Sequence, residues 1–281
     1  MAAINKGKII ITRCLEEDIP TLLDGEMCYT TDTDKLYIGN KDLGNIVIMT
    51  RVPWTDIQER PALAPGAGTN SIIQVSNDNG STAEGDYSFA AGILNKANGY
   101  YSFVAGKNNT ANGENSTALG YNNTADASFS FAAGNNNTAI AIGSFALGYN
   151  NTTKGLYSFA IGEYNNADTE SSFAAGRENT AKGLYSFAAG GANTASKRCS
   201  IALGCKNTAS GECSIAAGNN NTASGNQSFS VGKKNKAIGE CSIAAGLVNT
   251  ASNSYSFAEG YSNKASGACS IAAGCINTAS G

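Results

Sequence analysis

The sequence predicts an all-β protein, most of it a parallel β-roll of fourteen 14-residue coils, and three observations predict it. A Gly closing an apolar pentapeptide recurs at 92, 106, 120, 134, 148, 162, 176, 190, 204, 218, 232, 246, 260 and 274, always fourteen residues apart. Ser stands four residues before every one of these glycines, and Asn three residues after. The resulting unit, close to xS(F/I)A(A/L)GxxN(T/K)AxG, carries so much Gly, Asn and β-branched Thr or Ile that a helix would lose propensity in each copy. Two short strands joined by turns fit it.

The elements are expected as residues 1–50, a small amino-terminal β domain; 51–86, a connector; and 87–281, the repeats. The first 86 residues hold seven basic and thirteen acidic side chains, the remainder twelve and nine, so two differently built regions share one chain. The whole is 15% charged with a net charge of −3, which gives no electrostatic footprint for nucleic acid or an anionic membrane. No stretch approaches the ~20 apolar residues of a membrane span. The start, MAAINKGKIIITRCLEED, breaks its short apolar run with acids and does not read as a secretory leader. Synthesis and folding in a cytoplasm are expected.

Within the first region, residues 26–29 and 35–38 read as two short strands on either side of the polar turn Thr-Thr-Asp-Thr-Asp, a hairpin signal. The connector gathers Pro53, Pro61 and Pro65 within thirteen residues, which marks extended chain.

In the repeats, alternation sorts the pentapeptide SFAAG into two faces. Ser, Ala and Gly share one; Phe or Ile and the following Ala or Leu share the other. A 14-residue coil is narrow, which favours the small face inside; Phe inside and Ser outside is the alternative the pattern leaves open. With the small face inside, Phe89, Phe103, Phe131, Phe145, Phe159, Phe173, Phe187, Ile201, Ile215, Phe229, Ile243, Phe257 and Ile271 form an outer apolar stripe. A lone chain should not leave such a stripe wet. Burial against copies of itself is the simplest remedy, and a parallel homotrimer about a long axis would cover every stripe at once. The invariant Asn95, Asn109, Asn123, Asn137, Asn151, Asn165, Asn179, Asn193, Asn207, Asn221, Asn235, Asn249, Asn263 and Asn277 are expected to form a hydrogen-bonded ladder along the coils that also satisfies turn amides. At about 4.8 Å per coil the stack would run roughly 67 Å.

Chemistry is sparse. The sequence contains no His, which removes Ser-His-Asp and Cys-His nucleophile arrangements and most zinc sites. None of the eight cysteines stands in a CxxC pair; those in the repeats fall into two columns and read as small hydrophobes. Cys199 and Cys213 lie one coil apart, so a disulfide is sterically conceivable, against the reducing setting expected. Asp32 and Asp34 read as a solvated turn rather than a cation site, and Trp54 as a packed anchor rather than a sugar platform. The Asn-x-Thr triplets are by-products of the repeat. No catalytic, metal-binding or cofactor-binding residue is expected, and no cofactor.

The unit SFAAGxxNTAxG closely resembles the head repeat of trimeric autotransporter adhesins of the YadA type, over residues 87–281. That resemblance implies a left-handed β-roll and fixes the number of copies at three. Phe stands here where Val is commoner in that family. The segment LLDGEMCYTTDTDKLYIGN, residues 22–40, resembles the amino-terminal motif of phage tail fibres and baseplate receptor-binding proteins. VPWTDIQERPALAPG, residues 52–66, is similar to a linker common in phage fibres. These resemblances imply attachment to a tail or baseplate through Gly25, Glu26, Tyr29, Asp32, Leu36, Tyr37 and Trp54. The expected protein is a trimeric tail fibre or receptor-binding protein of a phage or phage-like particle, not an enzyme. Its partners would be itself, tail or baseplate proteins and a host receptor met through a tip beyond Gly281, without nucleic acid or membrane insertion. The alternatives are a cell-surface adhesin of the autotransporter class and the shaft of a polysaccharide-degrading tailspike.

Overall fold

The computed structural model describes residues 11–14, 27–30, 35–40, 44–50, 62–75 and 80–281, with side chains from 66–72 and 80–281. The chain divides into two compact units, Met1–Ala62 and Leu63–Gly281.

In the first unit, four strands, β1 (Ile11–Cys14), β2 (Met27–Thr30), β3 (Lys35–Asn40) and β4 (Gly44–Thr50), form one sheet in the order β1-β2-β3-β4. β1 runs parallel to β2. β2 and β3 are the hairpin expected from the sequence, antiparallel with Met27 opposite Ile38, Cys28 opposite Tyr37 and Tyr29 opposite Leu36. β3 and β4 pair antiparallel, with a register shift between Leu36 and Tyr37.

The second unit is a parallel β-solenoid with two sheets. Each coil supplies one five-residue strand to the first sheet, fourteen of them from Phe89–Ile93 to Ile271–Cys275. It also supplies one two-residue strand to the second sheet, from Thr82–Ala83 to Thr278–Ala279. From Phe89 onward the register is fourteen residues throughout: Phe173 lies opposite Phe187 and Gly176 opposite Gly190, just as Thr180 lies opposite Thr194. No helix occurs among the described residues. None is therefore long and apolar enough to cross a membrane.

The two-residue periodicity assigns the faces. Ser, the following Ala and Asn point inward and are almost fully buried, as at Ser172, Ala174 and Asn179, each 0% exposed. Phe and Ile of the same strands point outward, so the small face lines the coil. The reason is width: two sheets closed by a 14-residue coil leave room between them for methyl, hydroxymethyl and carboxamide groups, and the largest apolar side chain fully buried there is Val104.

Each coil turns at two corners. The residue before the repeat Ser and the residue before the repeat Asn take left-handed backbone, as at Tyr185 (φ 57°) and Ala192 (φ 54°). Both corner amides bond back to the preceding coil, Tyr185 N to Glu170 O at 3.1 Å and Ala192 N to Arg177 O at 2.8 Å. The Gly seven residues after the repeat Gly does not carry the left-handed conformation. Its small size serves close approach instead: a Cβ on Gly183 would stand 1.9 Å from the carbonyl oxygen of Lys197 in the next coil. Where this column holds Thr169 or Lys197, the amide turns to the hydroxyl of the following Ser, at 3.3 Å for Ser172 and 3.2 Å for Ser200.

The stack also reaches upstream of Tyr87 into residues expected as connector. Strand Ile72–Val75 lies parallel to Phe89–Ile93, with Ile72 opposite Phe89, a step of seventeen residues. Thr82–Ala83 pairs with Lys96–Ala97 at the ordinary step of fourteen. The coil ahead of the first repeat is thus three residues longer.

Candidate functional site: the asparagine ladder and the outer face

The fourteen repeat asparagines lie in one column, and Asn179 shows what one of them does. Its Nδ2 donates to Ala175 O in its own coil at 2.8 Å and to Gly190 O in the next at 2.8 Å. It also donates back to Asn165 Oδ1 at 3.0 Å, and its backbone N donates to the same oxygen at 3.0 Å. Its own Oδ1 accepts from Asn193 N at 3.0 Å and Asn193 Nδ2 at 2.9 Å. One buried carboxamide therefore joins three consecutive coils. A side chain with both donor and acceptor is required, since a buried carbonyl or amide left without a partner costs free energy.

The ladder begins one coil before the sequence pattern showed it. Ser81 takes the Asn position: its Oγ donates to Gly92 O at 3.1 Å and accepts from Asn95 N at 3.1 Å. The signal was present in Ser81-Thr82-Ala83-Glu84-Gly85 beside Asn95-Lys96-Ala97-Asn98-Gly99. Ser in place of Asn and the seventeen-residue step concealed it.

The repeat Gly cooperates with the ladder. Gly176 has φ +108°, a conformation that L side chains rarely adopt, and a Cβ there would stand 2.2 Å from Gly190 O. That oxygen is the one Asn179 captures.

The structure brings the Phe and Ile stripe together on the outside of the long-strand sheet. Rings stack along it: Phe173 on Phe187 at 4.8 Å and 4°, Phe131 on Phe145 at 4.4 Å and 10°, Phe89 on Phe103 at 5.0 Å and 8°. Stacking leaves the outer edge of the stripe open, and Phe103 is still 43% exposed. Thr117 interrupts the stripe between Phe103 and Phe131. The next outward column is also mostly apolar, with Leu119, Leu147, Ile161, Leu203 and Val231 among its alanines and Glu259 its one charged residue.

The remaining surface is laddered by polar groups one coil apart. Asn98 donates to Asn112 at 2.8 Å and Asn112 to Asp126 at 2.7 Å. Arg198 pairs with Glu212 at 2.7 Å, which holds the guanidinium above its ordinary pKa through that hydrogen bond. Lys154 pairs with Asp168 at 3.5 Å. Tyr87, Tyr100 and Tyr101 form an exposed aromatic cluster at 4.3–5.6 Å, and the hydrogen bond that the Tyr100 phenol gives to Tyr101 raises its pKa. Among the described residues, no group of three His, Cys, Asp or Glu side chains could hold a metal ion.

Of the expected attachment residues, Tyr29 lies on β2 and Leu36 and Tyr37 lie on β3, in the antiparallel pair. Gly25, Glu26, Asp32 and Trp54 lie outside the described residues.

The family model described as YadA head domain repeat, two copies long, matches residues 83–109, 97–123, 111–137, 139–165 and 209–235. These windows of the roll are similar to YadA head domain repeats. The coils outside the matched windows keep the same fourteen-residue register. No curated protein matches the chain.

Proposed function

We propose that this protein is a structural, non-catalytic fibre subunit: a homotrimeric tail fibre or receptor-binding protein of a phage or phage-like particle. In this reading residues 1–50 dock to the tail or baseplate, and the YadA-head-type roll is a stiff shaft that projects a host-binding tip. The protein is assembled in the bacterial cytoplasm, acts outside the cell and needs no cofactor. The observation that carries the mechanical part is the buried Asn column, in which each carboxamide ties a coil to both neighbours. The apolar stripe supports self-association, because ring stacking within one chain leaves the rings partly wet. The order of a tail-fibre-like motif, a Trp-containing linker and the roll supports the attachment end.

A second reading, a cell-surface adhesin of the autotransporter type, is favoured by the family match alone. Fractionation of producing cells separates the two. The tail-fibre reading expects the protein to co-purify with tail or baseplate proteins and to lose that association when residues 1–50 are deleted. Enrichment in the cell envelope, or unchanged association of the deleted chain, contradicts it.

A further inference from the structure

We propose that Cys199 and Cys213 form an oxidation site at which two adjacent coils of the roll are joined by a disulfide. The two occupy the same corner position of consecutive coils, both with left-handed backbone, at φ 55° and 54°. The strands that follow them are in register, Ile201 opposite Ile215. The corner itself is tied by Cys213 N donating to Arg198 O at 2.9 Å. In-register neighbours lie about 4.8 Å apart, within the roughly 4.4–6.8 Å between Cα atoms that a disulfide spans. Both thiols are exposed and so open to an oxidant. The Cys213 thiol is held above its ordinary pKa, first by desolvation and then by the charge and hydrogen bond of Cys199. The Arg198–Glu212 pair, with Nε at 2.8 Å and Nη2 at 2.7 Å from one carboxylate oxygen, clamps the same two coils one residue before the thiols.

The remaining cysteines of the roll are not so placed. The same column continues with Gln227, Cys241, Tyr255 and Cys269, so no other two thiols in it are one coil apart, and the Cys241 thiol donates to Gln227 Oε1 at 3.2 Å. Cys205 and Cys275 occupy another column, five coils from each other.

The oxidant is a small-molecule or protein disulfide. With oxidised glutathione, one cysteine thiolate attacks a glutathione sulfur, forms a mixed disulfide and releases one glutathione thiolate. The second cysteine thiolate then attacks the protein sulfur of that mixed disulfide and releases the other. Two protein thiols are oxidised, one glutathione disulfide is reduced to two thiols, and the two protons pass to solvent or to the leaving thiolates. The bond closes a loop of one coil, a covalent staple on the surface of the roll between two coils away from its ends.

The full-length chain carrying Cys205→Ser is equilibrated in a buffer of oxidised and reduced glutathione, quenched with an alkylating agent and digested with trypsin. Cleavage after Arg198, Lys206 and Lys233 places the two sulfurs on separate peptides, 199–206 and 207–233. The expected result is a cross-link between these peptides, lighter than their sum by two hydrogens, within one chain, while Cys241 and Cys269 remain alkylated. The stapled chain should also unfold more slowly in denaturant than the same chain carrying Cys213→Ser. Alkylation of Cys199 and Cys213 equal to that of Cys241 and Cys269, glutathione adducts without a cross-link, or linkage only between chains would overturn the proposal.

Discussion

Replacing Asn179 by Ala removes the side chain that joins three coils, and the structure sets the size of the effect. Gly190 O and Ala175 O each lose a donor at 2.8 Å, and Asn193 loses the Oδ1 that its backbone N and its Nδ2 share. Asn193 is fully buried, while the bonds to the two carbonyls are partly buried. Stranding a buried polar group costs about 1–3 kcal/mol, so three such groups imply a loss of about 3–9 kcal/mol, toward the lower end because the two carbonyls are only partly buried. Asn277 supplies the internal control. It stands in the last described coil, where its Nδ2 donates only to Ala273 O, at 2.6 Å, and it is not buried. Its replacement by Ala should cost about 1 kcal/mol or less. The assay is denaturant unfolding at one fixed protomer concentration, because association couples to apparent stability. Hydrogen exchange read coil by coil accompanies it. Asn179→Ala should open the two coils around it while distant coils stay protected, as expected for a solenoid stabilised by nearest-neighbour interfaces. Equal losses for Asn179→Ala and Asn277→Ala, or a loss below about 1 kcal/mol for the former, would refute the reasoning.

Three further substitutions test the same architecture. Gly176→Ala forces a left-handed φ of +108° on a side chain and drives its Cβ toward Gly190 O; a loss of more than about 3 kcal/mol is expected, read by thermal unfolding and soluble yield. Ser230 occupies an interior column otherwise filled by Ala and Val104, is 0% exposed, and its hydroxyl has no protein partner. Ser230→Ala should therefore stabilise by about 1 kcal/mol, seen as a higher denaturation midpoint with an unchanged slope. Val248 holds a β-branched side chain at φ 62° in the corner column where Asn108, Asn122 and Asn136 stand, so Val248→Asn should stabilise by about 1 kcal/mol.

Much of the roll was legible because its physics repeats. A fourteen-residue period with three invariant positions specifies in-register stacking, and alternation across SFAAG places Ser and Ala against Phe whatever the neighbouring coil contains. Narrowness then decides which face is inside. The left-handed corners were not legible, because Tyr185, Cys199, Val248 and Ile276 are residue types that local preference keeps out of that region. Stacking overrides the preference: each corner amide has a carbonyl waiting in the previous coil, as Cys199 N has Leu184 O at 2.8 Å. The coil ahead of Tyr87 escaped for a different reason, since it departs from the period by three residues and puts Ser81 where every later coil has Asn. In the amino-terminal unit the hairpin was visible in its apolar and polar spacing, whereas the parallel pairing of β1 with β2 joins segments that no local pattern connects.

The outer stripe is the proposed self-association surface of the roll. Sedimentation equilibrium of the full-length chain at micromolar concentration, in reducing buffer, measures this directly. A mass of three chains, shifting toward one chain when Phe173 and Phe187 are both replaced by Asp, is the predicted result. A single-chain mass for the unmodified protein would contradict it, leaving the stacked phenylalanines of an isolated roll facing water.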